Sequence, residues 1–226
     1  MFIVFDFDGT IAKSTSFHKR GWESALKDLR INFLLEDLLP YEPNLRERFD
    51  SYRRIKKGFL DNNFRMKEQI SIYFNEKNED EIVKRIMGLK ESATIKAILE
   101  EETYSLLEQI ALNLTPALIA LKSKNIKIGI VSSTRKTIVT SLLIKANLID
   151  FFDVIIGEED LYEGQILKDK PDSFGAYKLN SVSGVKMDYY IGDNDLIDRE
   201  FALNAGSKFI LADYKSDMLN VINNLL

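Results

Sequence analysis

Five short apolar runs constrain this 226-residue chain more than anything else in it. They are FIVF (2–5), IKIGIV (126–131), DVIIG (153–157), YYIGD (189–193) and KFIL (208–211). Apolar centres of this length, without polar alternation, are the pattern of strands buried on both faces. Helix-length stretches lie between them: TPALIALKSK, KTIVTSLLIKANL, PDSFGAYKL and DREFALNAG. The alternation predicts an α/β fold, a doubly wound, Rossmann-like parallel sheet with helices on both faces. The last stretch, SDMLNVINNLL, reads as a closing helix capped by Ser216 or Asp217.

From about Ser14 to Thr115 the alternation stops. HKRGWESALKDL, RERFDSYRRIKK and ATIKAILEEETYSLLEQIAL carry apolar residues at helical spacing, and LLPYEP separates two of these stretches. An all-helical cap, residues 15–114, is therefore expected as an insertion after the first strand, with 1–14 and 115–226 forming the α/β core. Segments near Lys13–Ser16 and Leu114–Pro116 are the expected hinges.

Composition narrows the chemistry. A formal net charge of -4 gives no basic footprint for nucleic acid, so an anion site has to be built locally. The absence of cysteine removes thiolate nucleophiles and zinc–thiolate sites and fits a reducing, cytoplasmic setting. MFIVF is too short for a signal peptide, and no apolar run approaches the roughly 20 residues that span a bilayer. No membrane partner is expected.

Ligands of open parallel sheets bind beyond the carboxyl ends of the strands. Asp6 and Asp8 follow the first run, and Ser132, Ser133 and Thr134 follow the second. The loop after DVIIG ends in Lys168, Asp169, Lys170 and Pro171, and Asp193, Asn194, Asp195 and Asp198 follow the fourth run. Taken singly, each has a plainer reading. Asp8-Gly9 is a hairpin-turn signal, Ser132 to Thr134 and Asp193 to Asp195 suit helix caps, and Lys170 suits a solvated loop. Taken together they place acids, hydroxyls and one lysine along a single sheet edge.

That set suits phosphoryl transfer, which needs an in-line nucleophile, a divalent cation and donors around the phosphoryl oxygens. Asp6 and Asp8 are two apart, so an extended backbone presents both to one side. Gly9 lets the main chain turn sharply and crowd a ligand. Asp6 and Asp193 offer hard oxygens suited to Mg2+, Lys170 offsets part of the remaining charge, and Ser132 donates to a phosphate oxygen.

DFDGT (6–10), IVSS (130–133), KP (170–171) and GDNDLID (192–198) resemble, in order, the four motifs of the haloacid dehalogenase-like hydrolases. The helical insert between the first two looks like the cap of the phosphoglycolate phosphatase and β-phosphoglucomutase branch. The resemblance implies Asp6 as nucleophile, forming an aspartyl-phosphate, and Asp8 as general acid and then base. It implies Mg2+ held by Asp6, the Asp8 carbonyl and Asp193, with Asp198 close by and Gly9 and Thr10 supporting. Ser132, Ser133 and Lys170 would hold the phosphoryl group. An acid at position 8 points to phosphate rather than dehalogenase chemistry, while KPDSF lacks the second proline often seen in this branch.

The implied function is Mg2+-dependent hydrolysis of a small-molecule phosphate ester, phosphoglycolate phosphatase-like. His18 and Trp22, one helical turn apart, resemble the start of the β-phosphoglucomutase cap, where a histidine helps position the second aspartate; the plainer reading is a polar helix start and cap core. A mutase would also need a cap cation for a second phosphate, with Arg53, Arg54 and Arg65 as candidates. A non-catalytic phospholigand binder is the third reading, and it leaves the paired acids without a purpose.

Overall fold

The structure, a computed structural model, describes residues 1–28, 79–100, 104–164 and 166–226. Two compact units emerge: Met1–Ser14 with Glu101–Leu226, and Thr15–Glu100.

The first unit is built on five parallel strands, β1 (Phe2–Phe5), β2 (Lys127–Val131), β3 (Val154–Ile156), β6 (Tyr189–Gly192) and β7 (Lys208–Leu211). Their order across the sheet is β3-β2-β1-β6-β7. Succession runs outward from β1 through β2 to β3, then restarts on the other side at β6, so a topological switch point lies at β1. All four residues of β1 are buried, as the unbroken apolar run requires. Two carboxylates anchor strand starts: Asp188 Oδ2 accepts from the Phe2 N–H at 2.7 Å, and Asp153 Oδ2 from the Ile128 N–H at 2.8 Å. One core cluster joins Phe2, Val4, Val131, Leu179, Tyr190 and Phe201.

Five helices belong to this unit among the described residues: α3 (Tyr104–Ser123), α4 (Lys136–Lys145), α5 (Phe174–Ser183), α6 (Ile197–Asn204) and α7 (Met218–Asn223). Asp217 is the cap of α7, its side chain accepting from the Asn220 N–H at 3.1 Å. A small antiparallel hairpin, β4 (Tyr162–Glu163) with β5 (Ile166–Leu167), occupies what reads in the sequence as loop. Two residues per strand are too few to show a period.

The units meet in sequence at 14/15 and 100/101, whereas the sequence places the second crossing at 114/115. The reason lies in α3, which continues through Pro116. Leu114, Ala117, Leu118 and Leu121 on it are buried, and Asn113 Nδ2 donates to the carbonyls of Tyr214 and Ser216 at 3.0 and 2.9 Å. These contacts tie the helix to the α/β unit, and no break falls at Leu114–Pro116.

In the second unit, α1 (Thr15–Asp28) and α2 (Glu79–Leu99) pack together. A Cβ on Gly21 would lie 2.0 Å from Thr94 Oγ1 and 2.9 Å from the Lys90 carbonyl, so glycine permits the close approach of the two helices. Trp22 is buried, and Lys90 Nζ lies 2.6 Å from His18 Nδ1. LLPYEP, RERFDSYRRIKK, Arg53, Arg54 and Arg65 lie outside the described residues. Among the described residues no helix is long and apolar enough to cross a membrane.

Asn113→Ala leaves two partly buried carbonyls without their donor and is expected to cost about 1 kcal/mol of stability. A urea midpoint lowered with an unchanged slope is the predicted result, and an unchanged midpoint would detach α3 from this unit.

Candidate active site

Asp6 is the first residue beyond β1, and its N–H donates to the Ile191 carbonyl at 2.8 Å, extending the register with β6 by one step. The chain then turns back on itself. The Phe7 carbonyl accepts from the N–H groups of Ile11 and Ala12 at 2.9 and 3.0 Å, and Gly9 takes φ +86°. A Cβ on Gly9 would lie 2.1 Å from Asp193 Oδ2, so only glycine fits between the turn and that carboxylate. Asp8-Gly9 thus opens a compact loop at the sheet edge, and no sheet strand follows it. Thr10 Oγ1 donates to Asp193 Oδ1 at 3.3 Å.

Lys170 is the centre of charge. Its buried Nζ donates to Asp6 Oδ1 at 2.7 Å, Asp198 Oδ1 at 2.6 Å and Tyr190 Oη at 3.0 Å. Burial disfavours this ammonium, but Asp198 and then Asp6 outweigh it and hold its pKa well above the lysine range. Asp198, in the first turn of α6, also accepts from the Asn194 N–H through Oδ2 at 3.0 Å. Gly192 makes room for it, since a Cβ there would lie 2.5 Å from Asp198 Oδ2.

One ammonium does not balance three carboxylates. Burial pushes the Asp6 carboxyl well above the usual range, opposed by Lys170 and reinforced by Asp198. Asp193 is exposed by area, yet desolvation and then the Asp198 charge push it to about 6. Oxygens of Asp6, Asp193 and Asp198 lie within 4.8 Å of one another. Octahedral Mg2+ at about 2.0–2.1 Å holds its oxygens at most about 4.2 Å apart, so these hard oxygens would close slightly around the ion. The donor set and its excess negative charge therefore fit a divalent cation, with Asp198 already tied to Lys170.

Around this cluster the hydroxyls divide their tasks. Ser132 is buried just beyond β2, and its Oγ accepts from the Thr134 N–H at 3.0 Å, which leaves its own proton to donate. Ser133 Oγ instead donates to Asp169 Oδ1 at 2.5 Å, and the same oxygen accepts from the Lys170 N–H at 2.8 Å. Ser133 thereby braces the loop that carries Lys170. Asp8 is gripped on both oxygens, by Ser14 Oγ on Oδ1 and Thr134 Oγ1 on Oδ2.

The sequence-predicted residues Asp6, Gly9, Thr10, Lys170, Asp193 and Asp198 thus converge through direct contacts, and Asp8 and Ser132 join through Thr134. His18 and Trp22 belong to the helical unit, where His18 meets Lys90. Ser14, Thr134 and Tyr190 were not among the predicted site residues. Thr134, two positions beyond Ser132 at a strand end, carried a positional signal; Tyr190, inside an apolar run, carried none.

The raised pKa of Asp193 means that the folded state holds its proton more tightly than the unfolded chain, with its ordinary value of 3.8. The metal-free protein accordingly loses stability as pH rises from about 4 to about 6 and does not regain it above. Asp193→Asn removes that penalty and is expected to stabilise the metal-free protein at pH 7 by about 1 kcal/mol, the solvent-screened share of the shift. The gain vanishes below about pH 4, and added Mg2+ raises the melting temperature of the wild type more than that of the variant. Thermal melts across pH, with and without Mg2+, check both signs; a destabilised variant at pH 7 would contradict the charge balance.

A family model of haloacid dehalogenase-like hydrolases matches residues 1–206. Solved structures share the fold. A predicted phosphoglycolate phosphatase from Haemophilus somnus is 17% identical with a TM-score of 0.61, over 100% of this chain and 97% of that one. CbbY from Rhodobacter sphaeroides, solved in complex with phosphate, is 16% identical with a TM-score of 0.60, over 93% and 85%. β-Phosphoglucomutase from Clostridium difficile is 18% identical with a TM-score of 0.57, over 93% and 83%. No curated protein sequence matches. The family model spans most of the chain, and the parallel sheet it implies is the one observed: the chain belongs to the haloacid dehalogenase-like hydrolases.

Proposed function

We propose that this protein is a Mg2+-dependent phosphatase that hydrolyses a small-molecule phosphate ester through an aspartyl-phosphate on Asp6. The observation that carries the reading is the Lys170 ammonium fixed between Asp6 and Asp198 at the sheet's switch point, with Asp193 adding a third carboxylate to one ammonium. A divalent cation would offset that excess negative charge, and a phosphoryl group would then be drawn to the cation and to Lys170. The phosphate in the CbbY complex supports the same ligand class.

Asp6 uses Oδ1 to accept from Lys170, which leaves Oδ2 to attack phosphorus. The bond from phosphorus to the ester oxygen breaks as the new bond forms, and Asp8 supplies the proton that the departing oxygen takes. Water then attacks the phosphorus of the aspartyl-phosphate, Asp8 takes its proton, and Asp6 and inorganic phosphate are released. Bound Mg2+, held by Asp6, the Asp8 carbonyl and Asp193, would supply charge neutralisation at the phosphoryl oxygens. Ser132 and Lys170 donate to those oxygens as charge develops on them.

Asp8 has to exist in two protonation states, and its neighbours suit both. A hydroxyl donates to a carboxylate and accepts from a carboxylic acid, so Ser14 and Thr134 keep Asp8 oriented in either. The helical unit, 15–100, is inserted in sequence after β1, which suits a cap that selects substrate and excludes water during transfer. A cysteine-free chain is consistent with a cytoplasmic setting.

The test is phosphate release from a panel of small phosphate esters with Mg2+. Asp6→Asn is expected to lose turnover by at least about 10⁴-fold with the substrate still bound, and chelation of Mg2+ to abolish release reversibly. Asp8→Asn is expected to lower kcat by about 10²–10⁴-fold with little change in KM. Full release by Asp6→Asn would end the reading.

A further inference from the structure

An ammonium has three protons to donate. In the described site all three of Lys170 have protein acceptors: Asp6 at 2.7 Å, Asp198 at 2.6 Å and Tyr190 Oη at 3.0 Å. A Lys170 that meets a phosphate oxygen must first release one of them. The three are unequal. Two are carboxylates, whose full negative charges attract the ammonium beyond the hydrogen bond itself, whereas the third acceptor carries only a dipole. Tyr190 is neutral, because burial above all keeps its phenol pKa well above the usual range even beside Lys170. It is also the longest of the three contacts.

The Tyr190 hydroxyl is aimed by its surroundings. It donates its own proton to the Val131 carbonyl at 2.9 Å, so its lone pairs are left for Lys170. Val131 ends β2 and directly precedes Ser132. The ring is fully buried and meets Phe201 edge-on at 4.7 Å between centroids, so packing holds its place independently of the hydroxyl.

We propose that the Tyr190 hydroxyl is a holding acceptor for the Lys170 proton destined for substrate phosphate: it satisfies that proton in the empty site and yields it when a phosphate oxygen arrives. The inference rests on the phosphate-binding role given to Lys170 above. Tyr190 acts through Lys170 as a positioning residue and never touches phosphorus. It lets a buried ammonium wait without an unsatisfied N–H, at some cost in phosphate affinity.

Removing the hydroxyl should therefore tighten phosphate binding, the reverse of what loss of a structural residue does. Tyr190→Phe keeps the ring whose centroid lies 5.4 Å from Lys170 Nζ, and it keeps the Phe201 contact. Calorimetric titration of inorganic phosphate in the presence of Mg2+, on wild type, Tyr190→Phe and Phe201→Leu, reads the difference. The expected Kd for Tyr190→Phe is roughly three- to tenfold below that of wild type, from the penalty of an unmet buried donor in the empty site. Phe201→Leu, which disturbs packing and spares the hydroxyl, is expected to bind equally or more weakly.

Unchanged or weakened binding by Tyr190→Phe overturns the proposal, as does equal tightening by Phe201→Leu. A wild type that binds no phosphate overturns the site reading and this inference with it. The wild type gives an answer without any variant. In its structure with Mg2+ and phosphate, Lys170 Nζ is expected to leave hydrogen-bond range of Tyr190 Oη while keeping Asp6 and Asp198. Retention of Tyr190 with loss of a carboxylate overturns the proposal.

Discussion

Lys170 sits between Asp6 and Asp198 with its charge almost wholly withdrawn from solvent, and the site's other features answer to that placement. Taking an ion out of water costs several kcal/mol, a cost met only by close opposite charge and full hydrogen bonding. Two strands and a loop supply both. β1 delivers Asp6, β6 delivers Tyr190 and leads into α6 with Asp198, and the loop before α5 delivers the lysine. Without the lysine, Asp6 and Asp198 would be two buried like charges with nothing between them. With it, the cluster remains negative, a state that a divalent cation would relieve.

Backbone geometry decides how closely these groups approach. Gly9 and Gly192 are the positions where a side chain would collide with Asp193 and Asp198 respectively. Each lies beside an acid in the sequence, within DG and GD, so the same short motifs supply both charge and the space for charge. The carboxylate of Asp8 is then set apart from the lysine cluster by its own pair of hydroxyls, Ser14 and Thr134. Two acids two residues apart thus acquire different surroundings, which is what separate roles as nucleophile and proton carrier require.

Much of this is legible in the sequence. Strands buried on both faces announce themselves as unbroken apolar runs, and in a parallel sheet the residues just beyond them share one edge. Asp6, Ser132, Lys170, Asp193 and Asp198 were readable on that rule. The rest was not, for physical reasons. Tyr190 lies inside an apolar run, and where both faces are buried no alternation tells which side a hydroxyl serves. Ser14 and Thr134 look like ordinary loop and cap residues until the fold brings Asp8 to them. Pro116 suggests a boundary, yet α3 continues through it, and Asn113 is held by carbonyls about a hundred residues away, which local pattern cannot register.

The α/β unit therefore holds its ammonium, hydroxyls and carboxylates oriented at one end of the sheet. The central claim is that the Asp6 carboxylate bonds to phosphorus. Rapid quenching during turnover, followed by borohydride reduction and peptide mass spectrometry, tests it most directly. The account predicts homoserine at position 6 and unmodified aspartate at positions 8, 193 and 198. Turnover with an unmodified Asp6, or with the label on another carboxylate, would contradict it.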